Sequence, residues 1–171
     1  GAQRGAIHHV AAGNLDGGPA VEASGPVVSS PAEDSMVLFV SFVLDSVQSS
    51  WARVFTSEGQ QYQDAVLVLF RDGTRSACGF AESTVGPFYC PGDQKVYIDL
   101  GFYQELGDRF GAPGDFAQAY VLAHEVGHHL QHLLGIERQV RQAQEANPSQ
   151  RNELSVRMEL QADCFAGVWG H

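Results

Sequence analysis

The segment His124-Glu125-Val126-Gly127-His128-His129 does most to limit how this chain can fold. Phe116, Ala119, Tyr120, Val121 and Ala123 before it, and Val126, Leu130, Leu133 and Leu134 after its start, recur at helical spacing, which predicts an amphipathic helix. Asp115 is expected to cap that helix and Gly135 to stop it. On it, His124 and His128 stand one turn apart on one face, about 6 Å along the axis, so both imidazoles can reach one metal ion. The competing reading of an H-E-x-x-H motif is a pair of histidines satisfied by ordinary core or surface contacts, and the helical context argues against it. His129 points to a different face.

Zinc held by three protein ligands keeps a fourth position for water and lowers that water's pKa toward roughly 7, where Glu125 can take the proton. The third ligand must come from elsewhere. His132 continues the same face but lies about 12 Å along the axis from His124. Gly135-Ile136-Glu137-Arg138 supplies no returning histidine. On the last predicted helix, Glu159 and Asp163 stand one turn apart among Met158, Leu160, Ala162, Cys164, Phe165 and Ala166. An unpaired charge among apolar neighbours would be costly, so Glu159 is the preferred ligand, with Asp163 accepting the free N–H of a ligating histidine. Asp163 itself, or a distant histidine, stays open as the alternative ligand.

The 171 residues fit one domain, and the formal charge of −10 opposes attraction to nucleic acid or to anionic lipid. No uninterrupted run of 18 apolar residues occurs, so no membrane contact is expected from this segment. Gly1 stands where Met would open a whole protein, which suggests a processed or cloned fragment, so that any targeting or anchoring segment upstream would not be seen in it. Three cysteines leave one over. Cys78 and Cys90 flank a short Gly- and Pro-rich excursion and are expected to pair, stabilising by about 3 kcal/mol in an oxidising compartment. Cys164 is read as a small buried apolar residue on a helix.

Residues 1–29, rich in Gly, Ala, Ser and Pro, read as a loosely ordered lead-in to a domain spanning 30–171. Ser30-Pro31-Ala32-Glu33 has the form of a capping box, followed by an apolar stripe of Met36, Phe39, Val40, Val43, Leu44, Val47, Trp51, Val54 and Phe55. Ala65 to Phe70 suits a buried strand, and Phe88-Tyr89-Cys90 with Val96-Tyr97-Ile98 suits a hairpin. Further helices are expected over Asp99–Phe110, over the polar stretch Glu137–Ala146, and from near Ser149 to the end.

His124-Glu125-x-x-His128 followed by Glu159-x-x-x-Asp163 resembles the gluzincin arrangement of zinc peptidases. With Gly86-Pro87-Phe88-Tyr89-Cys90-Pro91, Val96-Tyr97-Ile98-Asp99-Leu100 and the run from Glu159 to Trp169, residues 35–171 resemble the bacterial putative neutral zinc metallopeptidase family. The resemblance implies an α+β, zincin-like fold, mainly helical with a small antiparallel or mixed sheet beside the motif helix. It implies Zn2+ as cofactor, His124, His128 and Glu159 as ligands, Glu125 as catalytic base, and a peptide or protein substrate. It also implies export to the periplasm or cell surface, with a membrane anchor in the full-length protein. The chain lacks the N-terminal transmembrane segment of many members and a portion that usually follows the last helix, so truncation at the C-terminus is expected. Tyr97, Tyr103 and Tyr120 are candidates to stabilise an oxyanion. The alternative function is a non-catalytic, zinc-stabilised envelope binding module.

Overall fold

A computed structural model describes residues 7–9, 31–71, 73–82, 86–102, 105–106 and 114–171. Helix α1 (Pro31–Ser57) opens the main body. Strands β2 (Val66–Phe70), β5 (Phe88–Cys90) and β6 (Lys95–Asp99) form a mixed sheet with β1 (Ile7–His9), in the order β1-β2-β6-β5. β2 pairs parallel to β1 and to β6, and β5 pairs antiparallel to β6 at the edge. Strands β3 (Gly73–Ser76) and β4 (Gly79–Glu82) make a separate hairpin. The rest is helical: α2 (Gly114–Leu133), α3 (Ile136–Ala146) and, after a 3-10 turn at Pro148–Gln150, α4 (Arg151–Gly170). The fold is α+β.

The period-two alternation of a strand explains how the sheet is buried on both sides. Leu67 and Leu69 of β2 join Val96 and Ile98 of β6 in the main core, while Val68, Phe70 and Tyr97 form a smaller cluster with Cys90. The main core is completed by Val40, Val43, Leu44, Val47, Trp51 and Phe55 of α1 and by Leu122, Ala123, Val126 and Leu130 of α2. Trp51 meets Phe165 of α4 edge-on at 5.4 Å, and the Trp169 indole N–H donates to Ser46 at 3.3 Å, so α1 and α4 are tied behind α2.

Several expectations change. Ile7–His9, inside the stretch read as loose, forms a sheet strand; the remainder of 1–30, including the Ser30 cap, lies outside the described residues. The β3–β4 hairpin has no counterpart in the sequence reading, because its strands are short and Gly-bounded, with little hydrophobic alternation. Asp115 sits in the first turn of α2 and is not its cap. Gly135, at φ +72°, ends the helical run and opens α3. Residues 100–102 and 105–106 are helical, and the rest of the helix expected over 99–110 lies outside the described residues. Val54 is exposed instead of buried. By length and composition alone, Asp34–Ser57 of α1 is long and apolar enough to cross a membrane, although no uninterrupted apolar run marks it. One stripe of it packs into the core while Leu38 and Phe42 stay exposed.

Candidate metal centre

α2 and α4 pack closely because Gly127 has no side chain. A Cβ there would lie 2.9 Å from both the Cα and the carbonyl oxygen of Ala162. That contact lays residues 158–163 of α4 along the face of α2 that carries His124 and His128. Glu159 Oε2 comes to 3.2 Å from His124 Nε2 and 3.5 Å from His128 Nε2, and the two imidazole nitrogens are 3.2 Å apart. Tetrahedral zinc with ligands at about 2.0–2.2 Å requires ligand atoms about 3.3–3.6 Å apart. The three side chains come within about 0.1 Å of that spacing.

The hydrogen bonds behind the rings decide which nitrogens are free. His124 Nδ1 lies 2.8 Å from Asp163 Oδ1, a carboxylate oxygen that can only accept, so Nδ1 carries the proton and Nε2 a lone pair. His128 Nδ1 lies 2.9 Å from Gln131 Oε1, with the same consequence. Two imidazole lone pairs and a carboxylate oxygen therefore point at one another with no proton of their own to share. A cation resolves that arrangement, and His, His and Glu are ligands suited to zinc. Among the described residues this is the single His/Cys/Asp/Glu group that meets the spacing a metal needs.

Glu125 is buried, and burial pushes its carboxyl up to about 7; Glu159 pushes the same way, while His128 and the Tyr89 backbone N–H oppose it. A base with a pKa near the working pH is well matched to proton transfer. Asp163 is held below the usual carboxylate range, chiefly by the Tyr120 hydroxyl, which donates to Oδ1 at 2.6 Å, and also by His124. Side chains of Pro87, Phe88, Tyr89 and Pro91 from the β5 edge and Met158 from α4 wall an open cleft of about 420 Å³ above His124, Glu125, His128 and Glu159.

The apolar surroundings expected for Glu159 are not there. The Glu159 side chain is 60% exposed, Leu160 is exposed, and only Ala162 and Ala166 of α4 are buried. Hydrogen bonds from Tyr120 and His124 hold Asp163, and the crossing of the two helices places Glu159; burial does neither. Cys164, read as buried, is exposed and unpaired, while Cys78 and Cys90 form a disulfide. His129 is fully buried on another face of α2: Nε2–H donates to the Gln63 carbonyl at 2.6 Å and Nδ1 accepts from the Tyr89 hydroxyl at 2.9 Å. His132 Nδ1 bonds Glu137 at 3.0 Å, and Glu137 is also paired with Arg141. Of the tyrosines considered for an oxyanion, Tyr97 donates to Asp93 and does not line the cleft, Tyr120 is engaged by Asp163, and Tyr103 lies outside the described residues. The sequence reading missed Gln131, although its position one turn beyond His128 on the same face could have drawn attention to it.

Two histidines and a glutamate, brought together by a Gly-crossed helix pair beside a buried carboxylate, make up the candidate metal centre. The profile of the putative neutral zinc metallopeptidase family matches residues 9–171, and the chain belongs to that family. The uncharacterized protein YpfJ of Escherichia coli K12 is 52% identical over 160 residues, covering 93% of this chain and 56% of that protein. The uncharacterized protein Rv2575 of Mycobacterium tuberculosis H37Rv is 47% identical over 129 residues, 74% of this chain and 41% of that protein. The chain thus spans about half the length of the curated relatives it matches. No solved structure matches it.

Proposed function

We propose that this chain carries the catalytic domain of a zinc-dependent peptidase, residues 30–171, that hydrolyses peptide bonds with Glu125 as general base. The observation that supports this most is the convergence of His124 Nε2, His128 Nε2 and Glu159 Oε2 within 3.5 Å of one another, beside a buried carboxylate and at the base of an open cleft. Zinc bound there would supply a Lewis acid for the substrate carbonyl and a more acidic water. Glu125, with its pKa raised toward 7, accepts a proton from the water and returns it to the departing amine. Asp163 keeps His124 in the tautomer that offers Nε2, and Tyr120 steadies Asp163. Met158 and the β5 edge give an extended peptide an apolar wall.

The disulfide supports a compartment outside the cytosol, in the periplasm or at the cell surface, since cytosolic thiols are kept reduced. Metal analysis paired with a peptide-cleavage assay tests the function. Glu125→Gln should retain stoichiometric zinc and lose cleavage by several orders of magnitude, because a site that serves structure alone has no need of that carboxylate. Equal proteolysis by the parent and Glu125→Gln would sink the mechanism.

A further inference from the structure

We infer that Gln131 is a positioning residue that fixes His128 in the tautomer a metal ion requires. The side chain is fully buried at the α2–α4 junction. Its amide nitrogen donates to the Met158 carbonyl at 2.7 Å and to Gln161 Oε1 at 3.1 Å, which uses both N–H groups. The amide therefore has one orientation. Turned over, it would set its oxygen against the Met158 carbonyl, which cannot donate. In the orientation that satisfies Met158, Oε1 faces His128 Nδ1 at 2.9 Å and can only accept. His128 then carries its proton on Nδ1 and presents an Nε2 lone pair toward His124 and Glu159.

The two histidines are thus held by different chemistry. Asp163, a carboxylate, orients His124; Gln131, a neutral amide anchored on the backbone of α4, orients His128. The ring nitrogen remote from a metal usually has such a partner, and losing it typically weakens metal binding about ten- to a hundredfold. Gln131 also links the two halves of the site, because its anchor is the carbonyl of the residue that precedes Glu159.

The consequence for zinc rests on the peptidase reading, but the tautomer does not, so the closing experiment separates them. Ring nitrogen-15 spectra of the full chain in EDTA should show His128 with its proton on Nδ1. In Gln131→Met that preference should disappear while the His129 ring signals stay in place, and zinc affinity, read by competition with a chromophoric chelator, should fall about ten- to a hundredfold. A metal-free parent with the His128 proton on Nε2 would overturn the inference by itself, even if Gln131→Met does not fold. So would a folded Gln131→Met with the parent tautomer and parent affinity. A parent that shows the expected tautomer yet binds no zinc would count against the proposed function and leave the role of Gln131 standing.

Discussion

Gly127 and Ala162 meet backbone to backbone: a Cβ placed on Gly127 would stand 2.9 Å from the Cα and the carbonyl oxygen of Ala162. The glycine inside the H-E-x-x-H motif thus sets the distance between the helix that carries the histidines and the helix that carries Glu159 and Asp163. Gly127→Ala should push the helices apart, costing about 1–3 kcal/mol and weakening metal binding in the same variant. Urea unfolding and a zinc competition assay measure the two effects. Adding Ala162→Gly should not restore them, since the closest clashes are with backbone atoms. Full rescue would show that this contact does not set the helix spacing.

Removal of the proposed ligands should divide the site in a defined way. His124→Ala, His128→Ala and Glu159→Ala should each leave purified protein with well under stoichiometric zinc, and Asp163→Ala should weaken affinity about ten- to a hundredfold. His132→Ala should leave zinc content unchanged, because that ring is engaged by Glu137. Tight, stoichiometric zinc in Glu159→Ala together with its loss in His132→Ala would remove α4 from the site.

Acidity should affect the metal-free protein through two buried groups of opposite sign. Glu125 has a raised pKa, about 7, so the stability it gives is full below its unfolded value near 4.5 and is lost as pH rises through 7. Glu125→Gln should therefore become more stable than the parent by on the order of 1–3 kcal/mol between pH 5 and pH 8 in EDTA. His129 has a pKa lowered by burial, so its contribution is present above its unfolded value near 6.5 and is lost as pH falls below that. Urea titrations of parent and variant at several pH values resolve the Glu125 part. Parallel pH profiles would contradict it.

The cysteines predict a thiol count. Unreduced native protein should expose one alkylatable thiol, Cys164, and reduction should add two. Replacing Cys78 and Cys90 together with Ala should cost about 3 kcal/mol, by chain-entropy arguments for a loop of this length. Mass spectrometry after alkylation and urea unfolding check both. Three reactive thiols before reduction would contradict the bridge.

What was legible in the sequence was whatever carried a strong period or a strong charge. The stripe of α1 and the motif helix repeat at helical spacing, while Ala65–Phe70 and the Phe88–Cys90 and Val96–Ile98 pair are short apolar runs bounded by turn residues, and each has its element. Ile7–His9 and the β3–β4 hairpin were not legible, because such short strands take their pairing from neighbours distant in sequence. In α4 the apolar letters misled. Leu160 and Cys164 face solvent, Phe165 and Trp169 pack against the core, and the fully buried positions are Ala162 and Ala166, whose small size matters for close approach more than for hydrophobicity. Gln131 escaped because a neutral amide on a helix has no signature until its partners on α4 are visible.

Because the histidines and their carboxylate partners sit on helices far apart in the chain, the centre has an order of appearance during synthesis. His124 and His128 emerge about 35 residues before Asp163, a delay of roughly 2–7 s at ordinary elongation rates of about 5–20 residues per second. Until α4 is made, the nascent chain has a histidine pair without Glu159, and Gly127 lacks its contact with Ala162. On the proposed zinc reading, metal capture waits for the last helix, whose contact with Gly127 also brings Glu159 to the two histidines.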